Sequence, residues 1–265
     1  MASADSDSRT VLITGAARGI GLGIASAFAA RGCRVMLADL GAAGDDWNYA
    51  LATSAELDDA VASLGAGDRA AACALDVTSA ASCAAAVAAT VDRFGALDVL
   101  INNAGVVASG AIDSFTEADW DRVFAVNTKG IFLMSQAALP RLRQSGDAAI
   151  VNTASIAGKS GSPNLSAYCG SKFAAIGITQ SLAQELAADD IRVNALCPGI
   201  VGTAMWLDHL MRNQGEAAFE ERMESFIPLG RPQTVADMGE AAVYLASAPN
   251  VTGVALSVAG GIEMH

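Results

Sequence analysis

Tyr168 and Lys172 stand four residues apart in the stretch YCGSK, a spacing that puts both side chains on one face of an α-helix. A phenol is a poor base at neutral pH. An ammonium beside it favours the phenolate and turns the pair into a usable proton donor and acceptor. Ser155, thirteen residues earlier at the end of the hydrophobic run AAIVNTAS, can offer a hydroxyl to the same substrate oxygen. A Tyr and a Lys at this spacing also describe an ordinary surface pair, so their chemistry depends on what shares the site.

A second group, TGAARGIG from Thr14 to Gly21, follows the first hydrophobic run. Gly15, Gly19 and Gly21 permit a tight turn and close backbone approach before a helix N-terminus, where amides can hold a pyrophosphate. Taken alone, the stretch fits an ordinary strand-to-helix turn equally well. Asp39 ends the second hydrophobic run at the distance expected of a carboxylate that accepts hydrogen bonds from an adenosine ribose, or it simply initiates a turn. A carboxylate there repels the 2′-phosphate of NADP, and Leu40 supplies no compensating charge, so NAD is expected over NADP. Arg18 is the one feature of this group that can serve a 2′-phosphate.

The elements that must position these residues are legible as an alternation. RTVLIT, CRVMLAD, AAACAL, LDVLIN, AAIVNTAS and IRVNALC read as buried parallel strands, with helical patterns between them and a last strand at Val254 to Val258. The alternation predicts an α/β fold, a doubly wound parallel sheet with helices on both faces. Ser79 to Gly95 reads as a helix with a Gly stop, and Thr234 to Asn250 as one capped by Thr234 and ended by a Pro. Residues 203–226 are amphipathic and Met-rich, and have no place in the sheet. No repeat or linker divides the 265 residues, so a single domain is expected, with residues 1–8 as a disordered tail.

Composition narrows the function. A formal charge of −12 without a Lys/Arg cluster argues against nucleic acid as a partner. Five cysteines without CxxC spacing read as small buried hydrophobes of a reducing, cytoplasmic protein. No signal peptide or membrane-length apolar run is seen, and two histidines, His209 and His265, without a Cys/His cluster leave no metal site to expect.

The motifs taken together carry a resemblance. TGAARGIG, Asp76 and Val77, NNAG from Asn102 to Gly105, Asn127, Ser155, YCGSK and PGIVGT from Pro198 to Thr203 resemble, in order, the short-chain dehydrogenase/reductase family over nearly the whole chain. The resemblance implies a Rossmann-like domain in which Tyr168 is the general acid/base and Lys172 lowers its pKa and holds the nicotinamide ribose. Ser155 orients the substrate oxygen, and Asn127 holds a water that links Lys172 to solvent. Gly15, Arg18, Gly19, Ile20, Gly21, Asp39 and Leu40 face the pyrophosphate and adenosine. Asp76 and Val77 meet the adenine; Asn103, Ala104 and Gly105 line the cofactor; Pro198, Gly199, Ile200 and Thr203 serve the nicotinamide. Ala259 departs from the family, where an Asp often precedes the glycine pair, and puts a local contact near the subunit interface in doubt.

The expected activity is NAD-dependent interconversion of a small-molecule secondary alcohol and its ketone. PGIVGTAMWLDHLM resembles the corresponding stretch of polyol and acetoin/butanediol dehydrogenases, where this region is a lid, and it makes Trp206 a candidate substrate contact with Ser155 and Tyr168. Packing is the competing reading of that Met/Trp helix, and His209 reads as solvent-facing. WNYALATSAELDDAV, after the second strand, is similar to a segment of mycofactocin-associated, carveol-type members that covers a tightly held NAD; a variable loop and helix start, with Thr53 or Ser54 as cap, is the alternative. Other readings are an NADPH-dependent ketone or ketoacyl reductase, a terpene-type alcohol dehydrogenase and a non-catalytic dinucleotide sensor. Family resemblance also implies a homotetramer, or a dimer, through the helix bearing Gln180 and the last strand.

Overall fold

The computed structural model describes residues 9–41, 51–203 and 223–264. The expected tail at 1–8, the aromatic part of the connection after the second strand and most of the expected lid, with Trp206 and His209, lie outside them.

Among the described residues the strands are β1 (Thr10–Thr14), β2 (Arg34–Asp39), β3 (Ala70–Ala74), β4 (Val99–Asn102), β5 (Ala149–Thr153), β6 (Arg192–Pro198) and β7 (Ala255–Val258). They pair in parallel in the order β3-β2-β1-β4-β5-β6-β7. The chain builds outward from β1 in one direction and then returns to lay β4 on its other side. That reversal opens a crevice beyond the carboxyl ends of β1 and β4, where such sheets bind ligands.

The helices that cover the sheet are α1 (Gly19–Ala30), α2 (Ser54–Ser63), α3 (Ala80–Phe94), α4 (Glu117–Phe124), α5 (Gly130–Leu142), α6 (Ser166–Glu185) and α7 (Val235–Ser247). Strand side chains alternate between faces. Val11 and Ile13 therefore join one core with Ile24 and Phe28 of α1 and Met238 and Ala242 of α7. Leu12 joins the other, with Phe94 of α3 and Met134 and Leu142 of α5. Both layers are largely apolar, broken by the buried, mutually hydrogen-bonded Asn102, Ser135, Asn152 and Thr179, which is why most strands read as near-continuous hydrophobic runs rather than alternating ones.

Small residues set the helix spacing. A Cβ added at Gly239 of α7 would lie 2.7 Å from the Gly23 carbonyl oxygen of α1, so these helices pack backbone against backbone. The caps fall where the sequence places them: Ser79 accepts from Ser82 N–H, Gly95 ends α3 with φ 82°, and Thr234 forms a capping box with Asp237. At the far end of the sheet Arg9 and Arg192 share Asp147, at 3.1 and 2.5 Å, and both donate to the Ala246 carbonyl at the end of α7. The cations complement that helix C-terminus and tie β1 and β6 to α7. No described helix is long and apolar enough to cross a membrane.

Candidate active site

A cleft of about 690 Å³ lies at the carboxyl ends of the strands. The loop after β1 forms its floor. Gly15 has φ +65°, and a Cβ there would sit 2.8 Å from Ala104 Cα, so the loops after β1 and β4 touch through backbone. Asn103 Nδ2 donates to the Thr14 and Gly15 carbonyls, both at 3.0 Å, while Thr14 Oγ1 accepts from Asn103 and Ala104 N–H at 3.0 and 2.9 Å. Asn103 thus braces the glycine turn as well as lining the cleft. Gly19, Ile20 and Gly21 open α1 towards the same space, and a Cβ at Gly21 would overlap the Gly15 carbonyl oxygen. This is a backbone cradle that any larger residue would fill.

Asp39 sits beside the cradle. Its Oδ2 accepts from Ala17 N–H at 3.0 Å and its Oδ1 from Leu40 N–H at 2.8 Å, so the carboxylate is aimed by the backbone on both sides. Arg18, the N-cap of α1, lies 3.6 Å from Glu56 of α2. Leu40, Asp76, Val77, Ala104 and Gly105 line the cleft as well. Asp76 Oδ1 accepts from Thr78 N–H and Oγ1 at 2.9 and 2.7 Å, which fixes the turn after β3. Leu51 and Ala52, the described end of the connection after β2, also line it. Cradle, aimed carboxylate and apolar adenine-sized walls fit a dinucleotide.

The residues expected to handle the proton converge elsewhere in the cleft. Lys172 is only 4% exposed, which rules out the surface-pair reading. Its Nζ donates to the Thr153 carbonyl at 2.8 Å and lies 5.7 Å from the centre of the Tyr168 ring. Burial pushes its pKa down to about 8, with the neighbouring Cys197 thiol acting weakly the other way. Tyr168 is half-buried in the first turn of α6 and lines the cleft.

Ser155 lies beyond the end of β5 rather than within it. It caps a short 3₁₀ turn, Ile156–Gly158, and its Oγ accepts from Ala157 N–H at 3.1 Å. Asn127 is fully buried in a π-helical turn, Ala125–Lys129, a local widening found often at functional sites. Its Oδ1 accepts from Val106 N–H at 2.8 Å, and its Nδ2 donates to the Val106 carbonyl and to Ser171 Oγ at 2.9 and 3.0 Å. Asn127 stands behind the cleft wall: a Cβ added at Gly105 would meet both Asn127 Oδ1 and Lys172 Nζ within 3.5 Å.

Pro198, Gly199, Ile200 and Thr203 form the wall after β6. Gln233, which no sequence pattern marks, accepts from Ile200 N–H at 2.9 Å and returns its own backbone N–H to the Ile200 carbonyl at 3.0 Å. Ala259 is buried under this wall, with its Cα 2.7 Å from where a Gly199 Cβ would be. The family departure is thus packed against Gly199. Thr14 and Thr153 were also missed as separate contributors; Thr14 was visible as the residue opening the glycine motif. Among the described residues no group of three or more His, Cys, Asp or Glu is placed to hold a metal ion.

Residues 9–213 match the family model for short chain dehydrogenase. The chain is 37% identical to 2-(S)-hydroxypropyl-CoM dehydrogenase 3 of Xanthobacter autotrophicus, over 95% of each chain. It is 39% identical to D-threitol dehydrogenase of Mycolicibacterium smegmatis, over 96% of this chain and 93% of the other. Among solved structures, carveol dehydrogenase from Mycobacterium avium in complex with NAD has a TM-score of 0.89 and 28% identity, covering 96% of this chain and 97% of the other. The chain belongs to the short-chain dehydrogenase family. It is an oxidoreductase that acts on CH–OH groups and interconverts a secondary alcohol and its ketone.

Proposed function

We propose that the enzyme is an NAD-preferring dehydrogenase of a polyol, sugar or hydroxyketone, with Tyr168 as its general acid/base. The observation that carries the reading is the buried Lys172 ammonium held against the Tyr168 ring by the Thr153 carbonyl. In a site shielded from water that positive charge favours the phenolate, so Tyr168 can take a proton from an alcohol and return it to a carbonyl. Ser155 holds the substrate oxygen from the facing wall. Lys172 also reaches the ribose next to the nicotinamide. Asn127 keeps Val106 and Ser171 in place behind it, so the Lys172 end of α6 is positioned from two sides. Bound NAD supplies the hydride acceptor or donor; the residues supply position and the proton.

Asp39 sets the cofactor preference, because its oriented carboxylate suits ribose hydroxyls and opposes a 2′-phosphate. Similarity to D-threitol dehydrogenase supports a polyol substrate. A second reading, a terpene-type alcohol with tightly held NAD, is favoured by the likeness to carveol dehydrogenase and by Leu51 and Ala52 lining the cleft. NAD retained through purification separates it from the first. The exposed Phe132 of α5 and Phe173 of α6 support a homotetramer built through those helices. Five free cysteines suit a cytoplasmic setting.

The test is a panel of polyols and secondary alcohols assayed with NAD and with NADP, repeated on Tyr168→Phe. Loss of about 10³-fold in kcat/KM with unchanged NADH affinity is expected. Turnover that survives the substitution refutes the assignment of Tyr168. Faster turnover with NADP would return the chain to the reductase reading.

A further inference from the structure

We infer that Glu56, at the start of α2, is a second determinant of cofactor preference, acting through Arg18. The inference rests on the NAD reading above and deepens it. Asp39 Oδ2 accepts from Ala17 N–H at 3.0 Å, so Arg18, the next residue, stands beside the position a ribose 2′-substituent would occupy. Among the described residues that line the cleft beside Asp39, its guanidinium is the cation able to attract a 2′-phosphate. In this structure it faces Glu56 Oε1 at 3.6 Å.

Glu56 is not a loosely placed surface acid. Thr53 donates to its other oxygen, Oε2, from both backbone N–H and Oγ1, at 2.8 and 3.0 Å, and accepts from Glu56 N–H at 3.3 Å. The box locks the carboxylate with one oxygen used for capping and the other turned to Arg18. The Thr53 bonds, more than Arg18, hold the Glu56 carboxyl below the usual range, so it stays ionised across neutral pH. Arg18 is therefore neutralised by a partner the fold supplies, while the Asp39 charge remains. A 2′-phosphate would meet the Asp39 carboxylate and a cation already matched.

The arrangement also explains why the connection after β2 ends as it does. Leu51 and Ala52 line the cleft, and the capping box begins at the next residue. The same turn that seats those side chains thus sets the charge at the adenosine end.

The experiment measures the Kd of NADH and of NADPH by nicotinamide fluorescence on the full-length enzyme and on Glu56→Gln. Gln keeps the capping box and removes the charge. The pair is partly exposed, so a modest effect is expected: NADPH binds about three- to fivefold tighter in Glu56→Gln, with a smaller change for NADH. On an Arg18→Gln background the gain disappears. A wild-type enzyme that binds NADPH better than NADH overturns the NAD reading itself. NADH preference with an unchanged NADPH Kd in Glu56→Gln overturns only the role of Glu56. A gain of equal size with Arg18→Gln overturns the route through Arg18.

Discussion

Lys172 is buried, and the fold bears the cost of holding its charge there. Its folded pKa, about 8, lies below the ordinary value of 10.5, so a proton binds the unfolded chain more tightly than the native one. The penalty is therefore present in full below pH 8, amounts to about 3 kcal/mol there, and fades as pH rises from 8 towards 10.5. Lys172→Met should melt at the same temperature as wild type or higher at pH 7 while losing activity. The gap in Tm between the two proteins should narrow by pH 10. A variant that melts well below wild type at pH 7 would show that the Thr153 bond outweighs desolvation.

Ser155 and Asn127 show how differently residues of one motif set are used. Ser155 stands at the cleft wall with its oxygen pinned by Ala157 N–H. Asn127 spends its amide on Val106 and Ser171, so the wall is held from behind by a residue that does not line the cleft. A sequence shows only that both are polar residues of one motif set. Which of them faces solvent and which faces the core depends on the π-turn at Ala125–Lys129, and no composition marks that turn.

Among the elements, α1 and α7 are the pair on which the cofactor cradle depends. α1 begins in the glycine turn, and its distance from α7 is set by the close approach of Gly23 and Gly239. Gly239→Val should push α7 away from α1 and destabilise the fold by about 2 kcal/mol. Because α1 carries the cradle, NADH affinity should fall as well. Denaturant unfolding and NADH titration check the two effects; unchanged values for both would mean the helices can separate without cost.

The strands and most helices were readable because their signals are local. Fully buried strands need continuous β-branched or small apolar runs, and Ser79, Gly95, Thr53 and Thr234 cap or stop helices through their own side chains or φ. The position of Ala259 was not readable in this way. That residue is buried against Gly199, because β6 and β7 run side by side and bring residues of distant sequence together.

For the molecule as a whole, the assembly proposed above rests on apolar side chains left on the surface. Phe173 of α6 is 48% exposed and Phe132 of α5 is 51% exposed, on helices whose other faces are buried in the sheet. Phe173→Glu should lower the mass measured by analytical ultracentrifugation, since a carboxylate in an apolar contact between copies is left without a partner. A native mass in that variant removes α6 from the interface.

The sequence by itself determined the sheet, the helices, the glycine turn and the family to which the chain belongs. It could do so because each rests on a local property: hydrophobic runs, caps, a glycine where backbone must approach, and a Tyr and Lys one helical turn apart. Only the tertiary structure decided that Lys172 is buried, that Gln233 supports Ile200 and that Arg18 meets Glu56. Burial and charge pairing are set by which loops the parallel sheet gathers at its carboxyl edge, and that gathering joins residues no local pattern connects.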